Sequence, residues 1–276
     1  MLSFLKSILI FGVLTVLTQI GGLVFLIYKP VGLYIKKRFK KAYMRTPIKI
    51  LTFSVIYLVA TTMVVPIFAI PFDRVPMPMF SSEGIPIKPR TILTCLTNRH
   101  YVKLELRTEI FRIAQSFSKK HPKAEILYLD ANFPFLNGFP LLPHLSHDDG
   151  EKLDLSFFYK DPKTDESINS SPSWIGYGSF EEPKKGETNQ PGVCQKRGFW
   201  QYDITKYLTF QRGKPALEFD ESKTADLIKS CSSSSSIKKI FIEPHLKSRL
   251  GLGGYDKVRY HGCHAVRHDD HIHIQL

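Results

Sequence analysis

Apolar and polar positions divide the chain into two unlike parts. Ser7 to Tyr28 and Ile50 to Phe72 are uncharged runs rich in Leu, Ile, Val and Phe. Each exceeds the roughly 20 residues that a helix needs to cross a bilayer. They predict two transmembrane helices, at about 7–28 and 50–72. A cleavable signal peptide is an alternative for the first run, but the run is long and has no clear small-residue cleavage site. A core helix is an alternative for the second, but it would be apolar all round. Past Phe72 the pattern becomes amphipathic. Leu106, Ile110, Ile113, Ala114 and Phe117 share one face of a helix over 101–119, which His121-Pro122 ends. Short apolar runs at 126–129, 153–159 and 237–242 read as strands, and 199–210 as an aromatic-rich strand or short helix. Asp220 stands near the cap of a helix over 220–230, and a short helix over 246–250 is broken by Gly251–Gly254. The final His271-Ile-His-Ile-Gln-Leu276 alternates with period two, so His271, His273 and Gln275 lie on one face of a strand. Helices and strands do not alternate regularly. The expected fold is α+β, an antiparallel sheet with flanking helices, preceded by the two transmembrane helices.

Punctuation sets the boundaries. Residues 1–72 form a membrane anchor. Pro71 to Pro89 includes five prolines, and residues 73–90 read as an extended linker, so the folded domain is expected over 91–276. Residues 132–143 form a Gly/Pro-rich loop, and Ser232–Ser236 a solvated turn. The polar stretch 160–199 is long for a loop without structure of its own, and such loops are often functional.

The net charge of +13 suggests a nucleic-acid binder until it is mapped. No Asp or Glu precedes Asp73, whereas Lys6 and eight Lys/Arg between Lys29 and Lys49 do. From residue 73 onward 29 basic residues face 25 acidic ones, close to balance, and no nucleic-acid partner is expected. The basic loop 29–49 lies between the two apolar runs and should be cytoplasmic. The expected location is the cytoplasmic (inner) membrane, in two passes, with the domain facing the periplasm or exterior. Cys95, Cys194, Cys231 and Cys263 all lie in that exported part. Four cysteines allow up to two disulfides in three pairings, with Cys263 as a metal ligand the alternative.

Two imidazoles on one face of a strand favour a metal site, because imidazole is a common zinc ligand and a strand holds both in place. The upstream partner is the segment Pro143-His-Leu-Ser-His-Asp-Asp-Gly-Glu-Lys-Leu-Asp-Leu155. His147, Asp154 and His273 would give two neutral nitrogens and one carboxylate. Catalytic zinc usually has three protein ligands and one open position, whereas structural zinc is four-coordinate and often thiolate-rich.

His144-x-x-His147-x-x-Gly150-x-x-x-Asp154-Leu, Ile240-Phe-Ile-Glu-Pro followed by a helix, and the terminal His268-Asp-Asp-His271-Ile-His273-Ile-Gln-Leu occur in that order. Together they resemble the LAS metallopeptidases, whose zinc fold is shared with hedgehog signalling domains. The nearer resemblance is to the penicillin-insensitive murein endopeptidases, and it covers roughly residues 91–276. It implies one zinc ion, or two, on His147, Asp154 and His273, with His144 as a further ligand or supporting group. It also implies His271 and His268 as base or transition-state stabiliser, and a peptidoglycan peptide as substrate. Many relatives carry Glu three residues before the last ligand. Here that position is Asp270, one methylene shorter; it is a catalytic candidate assisting His271, although on an alternating strand it would point away from His271. Arg259, Arg267 or Lys152 could bind a substrate carboxylate. Asp148 and Asp149 would turn the loop, Asp269 would orient an imidazole, and Asp203 could be a further site acid. His245, His261 and His264 read as structural or surface residues. The competing functions are an inactive zinc-containing wall-binding or protein-binding module and a metal-handling membrane protein. No Gly-x-Ser-x-Gly elbow and no Gly-x4-Gly-Lys phosphate loop occurs.

Overall fold

The computed structural model describes residues 2–211 and 215–276. Helix α1 (Leu2–Thr18) is apolar on all sides, and α2 (Gly21–Arg38) folds back on it. Gln19 makes the turn with φ of 62°. A Cβ on Gly22 would lie 2.0 Å from Thr15 Oγ1 and 2.8 Å from the Phe11 carbonyl oxygen, so glycine permits the close crossing. The apolar run 7–28 is therefore two helices, not one continuous span. Lys36, Lys37 and Arg38 end α2, where cations favour the helix dipole.

Helix α3 (Ala42–Val59) continues without interruption through a π turn at Ala60–Val64, α4 (Val65–Ala69) and a 3-10 turn at Ile70–Phe72. The resulting rod, Ala42–Phe72, contains an 18-residue stretch of mean hydropathy 2.2. Among the described residues it is the one helix long and apolar enough to cross a membrane. Its second half lies along the domain. Tyr57 Oη donates to the Leu96 carbonyl at 2.7 Å, and Asn98 Nδ2 donates to Tyr57 Oη at 3.2 Å and to the Thr18 carbonyl at 3.3 Å. Ile20, Val24, Val65 and Ala69 bury Tyr101.

The segment 73–90 is not the free tether its prolines suggest. β1 (Val75–Pro76) pairs antiparallel with β3 (Tyr101–Val102), and β2 (Ile87–Pro89) pairs parallel with β4 (Ile126–Tyr128). Met77 and Ile87 are buried in the main core. Proline suits these places because an edge strand leaves some N–H groups unpaired. The domain thus begins near Arg74, before the expected Thr91.

The remaining strands are β5 (Lys152–Ser156), β6 (Tyr159–Lys160), β7 (Ser167–Ile168), β8 (Glu218–Phe219), β9 (Lys239–Phe241), β10 (Val258–Arg259) and β11 (His271–Gln275). Six of them form the main sheet in the order β10-β9-β11-β5-β4-β2. The fold is α+β, but the sheet is mixed. Its centre is antiparallel, as expected, while both edge pairs, β10 with β9 and β2 with β4, are parallel. Short α5 (Ile92–Leu96) is capped by Thr91, and α6 (Leu104–Lys120) buries the apolar face read from the sequence. The 160–199 stretch contributes β6, β7 and α7 (Gln190–Lys196), and the aromatic run after it a 3-10 turn and α8 (Ile204–Tyr207). Helix α9 (Glu221–Ser233), with Asp220 accepting from the Lys223 amide, shares the core with α6, and α10 (Pro244–Arg249) follows β9.

Strands β5 and β11 pair so that His273 lies directly opposite Asp154. Ile272 and Ile274, on the other face, are fully buried in the core. One disulfide forms, Cys194–Cys263, which removes Cys263 as a ligand. Cys95 and Cys231 are buried free thiols, so the second bond allowed by the count is not made.

Candidate metal centre

Strand pairing brings the remote residues together. His147 Nε2 is 3.2 Å from Asp154 Oδ1 and 3.1 Å from His273 Nδ1, which is itself 2.9 Å from Asp154 Oδ1. Tetrahedral zinc with bonds of about 2.0–2.1 Å holds its ligand atoms about 3.3 Å apart, so the triangle fits such an ion closely. His147 Nδ1–H donates to the Ala131 carbonyl at 2.7 Å. That bond leaves the Nε2 lone pair facing the triangle, the usual arrangement of a ligating histidine.

His144 extends the group. Its Nδ1 is 3.2 Å from Asp130 Oδ2 and 3.4 Å from Asp154 Oδ2, while its buried Nε2 has no hydrogen-bond partner. His144, His147 and Asp154 can each offer a ligand atom within 4.8 Å of the others, and all three are buried. They form a His-His-Asp group that could hold a metal ion. An unsatisfied buried nitrogen is costly unless something accepts its lone pair, and a cation does so.

His271 stands beside this group. Its Nδ1 bonds Asp270 Oδ1, and its buried Nε2, lacking a hydrogen bond, is 3.6 Å from Asp154 Oδ2. Burial opposes its charge, yet the carboxylates of Asp154 and Asp270 push it up to about 9. His273, dominated by burial, is pulled down to about 3. Burial would raise Asp154, but the charges of His147 and His271 and the hydrogen bonds from His147 and His273 hold it well below the usual carboxylate range. Burial and the neighbouring imidazoles of His271, His273 and His261 keep His268 well below its ordinary value.

A cavity of about 790 Å³ opens beside these rings, and His144, His147, His268, His271 and His273 line its floor. His261 and His264 also line it, so they are wall residues of the site; His261 stacks on Phe241 at 4.3 Å. His245 is structural, donating to the Glu181 carbonyl at 2.7 Å.

Several expectations need correction. Asp270 does not point away from His271: it precedes β11, in a bend where strand alternation does not apply, and its Oδ2 also accepts from the Gly178 amide at 2.5 Å. Arg267 is not available to a substrate. It is buried, bonds Asp269, Asp203 at 3.0 Å and Glu182 at 2.9 Å, and stacks on Phe180 at 3.9 Å. The same cluster takes up Asp269 and Asp203, so Asp203 is not a site acid. Arg259 lies on the edge strand β10, with its Nε donating to the Asp256 carbonyl at 3.1 Å, and does not line the cavity. Lys152 pairs with Asp149, whose Oδ1 turns the loop by accepting from the Glu151 amide at 2.9 Å.

Sequence reasoning missed two residues. Tyr177 Oη donates to Asp154 Oδ2 at 2.7 Å and accepts from the Asp130 amide at 3.0 Å. Asp130 links Arg99, at 2.6 Å, to His144. Tyr177 sits in the long loop, where only its aromatic character hinted at a role, and Asp130 follows a buried strand without a motif. No family model matches this chain, and no curated protein matches it.

Proposed function

We propose that the protein is a membrane-attached, zinc-dependent peptidase that hydrolyses peptide bonds of peptidoglycan cross-links outside the cytoplasm. The observation that carries this reading is the triangle of His147 Nε2, Asp154 Oδ1 and His273 Nδ1, with edges of 2.9–3.2 Å, at the floor of an open cavity. These three residues would hold the ion, with His144 as a fourth donor or part of a second site. A zinc ion there supplies a Lewis acid that activates water and polarises a carbonyl near neutral pH.

The chain's own groups do the rest. Tyr177 fixes the second oxygen of Asp154, so the carboxylate keeps one orientation. Asp270 fixes the His271 ring through Nδ1, leaving Nε2 directed into the site. His268, on the same cavity floor with its ring 4.9 Å from that of His271, is the second proton carrier. Hydrolysis adds water oxygen to the carbonyl carbon and breaks the C–N bond. His268 and His271 pass the water's proton to the departing amine.

The test uses the full chain in detergent. We expect zinc to co-purify with wild type, and cross-linked muropeptide dimers to be converted to monomers on a mass chromatogram. His147→Ala should lose the metal, and His273→Ala should lose both metal and cleavage. Full zinc occupancy without cleavage of any dimer would leave the binding-module reading in its place. Wild type that takes up no zinc would remove both.

A further inference from the structure

The apolar walls above the histidine floor suggest what the site receives. Leu142, Leu145, Trp200 and Leu208 line the cavity and are each more than half exposed, and no Lys, Arg, Asp or Glu lines it among the described residues. One further wall residue is Leu17, near the end of α1. Leu17 also closes an apolar groove of about 530 Å³ along α1, lined by Ile8, Leu9, Gly12, Val13 and Val16. The groove and the metal cavity therefore meet at one side chain. The neighbouring Thr18 carbonyl accepts from Asn98, which also bonds Tyr57 midway along the rod. The mouth of the cavity is thus level with apolar helices and does not stand clear of them.

Free cell-wall peptides are polar, and this mouth offers them no charged partner. An amphipathic molecule fits both parts. From Ile8 to Leu17 the groove runs about 14 Å along the helix. It continues from a helix that, away from its crossing with α2, exposes apolar side chains such as Leu5, Ile8, Leu9 and Val13, the kind of surface that lipid covers. Trp200, which lines the cavity, is exposed, and such aromatics favour the membrane–water boundary.

We infer that the cavity takes the peptide head of a lipid-tailed substrate, whose tail lies in the α1 groove and passes Leu17. The inference rests on the peptidase reading for the chemistry at the head, but its binding test does not. The probes are a short cell-wall peptide bearing a tetradecanoyl chain at either end, and the same peptide acetylated. Affinity for the full chain in lipid nanodiscs is measured after chelation, so that hydrolysis plays no part. The tailed probe should bind at least about tenfold more tightly, the effect of burying about two methylenes. Gly12→Phe should remove that preference and leave the acetylated probe unchanged, because a Cβ at Gly12 meets nothing within 4 Å and the substitution fills the groove without disturbing the helix. A photoreactive group on the tail should mark peptides from α1. Equal affinity of both probes, or an unchanged preference in Gly12→Phe, would overturn the inference while leaving the peptidase reading intact. A tail preference without hydrolysis after zinc is restored would do the reverse.

Discussion

Asp154 is the side chain on which the site turns. Its Oδ1 faces His147 and His273, and its Oδ2 accepts from Tyr177 at 2.7 Å. With no exposed surface, it can stay ionised only because imidazoles and a phenol surround it. Asp270 plays a different part. It touches none of the three triangle atoms, and its one side-chain link to the site is His271 Nδ1. It therefore acts through His271, as a positioning residue. Asp270→Asn keeps the shape but can place an amide N–H against Nδ1. The ring must then present Nδ1 as acceptor and carry its hydrogen on Nε2. We expect kcat for dimer cleavage to fall by about 10²–10⁴-fold, the range for losing a positioned acid or base, with zinc content and KM little changed. A variant that loses zinc in proportion to its activity would instead make Asp270 part of the metal shell.

At the scale of elements, the site is a product of strand register. His273 opposes Asp154 because β11 and β5 pair in the one alignment that buries Ile272 and Ile274. A slip of one residue would expose both isoleucines and separate the two ligands, so core and site specify the same register. This explains what the sequence disclosed. Period-two alternation identified the face carrying His271 and His273, and a lone apolar-flanked carboxylate identified Asp154. Alternation failed at Asp270 because the strand starts one residue later. The parallel edges went unseen because β2 and β10 are two or three residues long, too short to show a period. Tyr177 reaches the site by loop closure, which leaves no local pattern. The far wall of the cavity depends on a covalent tie, since Cys263 lies between the wall residues His261 and His264 and bonds Cys194 on α7, 69 positions earlier. Closing a loop of that length stabilises by about 4 kcal/mol in the chain-entropy view. Cys194→Ser combined with Cys263→Ser should lower the thermal midpoint of the full chain, followed by circular dichroism in detergent, by several degrees. It should also raise KM through the loosened wall. An unchanged midpoint would mean that the wall is held without the bond.

On the scale of the whole molecule, charge and hydropathy divide the chain more sharply than the fold does. Of the net charge of +13, nine units come from residues before Asp73, and eight of those nine cations fall between Lys29 and Lys49. They cluster where α2 ends and α3 begins. The rod from Ala42 to Phe72 is about 46 Å long, more than a hydrocarbon layer of about 30 Å. The proposed crossing puts this turn on the cytoplasmic side, because translocating a cluster of lysines is unfavourable. The same proposal puts the domain on the oxidising side, where the Cys194–Cys263 disulfide would persist. The proposal thus predicts opposite faces for the basic turn and the domain. Native thiols give little background for a test, as Cys95 and Cys231 are buried and the other two are bonded. Lys40→Cys and Ser235→Cys each place a thiol at an exposed position. In spheroplasts, a membrane-impermeant maleimide should label Ser235→Cys at once, and Lys40→Cys only after the membrane is opened. Immediate labelling of both would place the basic turn outside and refute the crossing. Labelling of neither before lysis would put the histidine cavity in the cytoplasm, away from any cell-wall peptide.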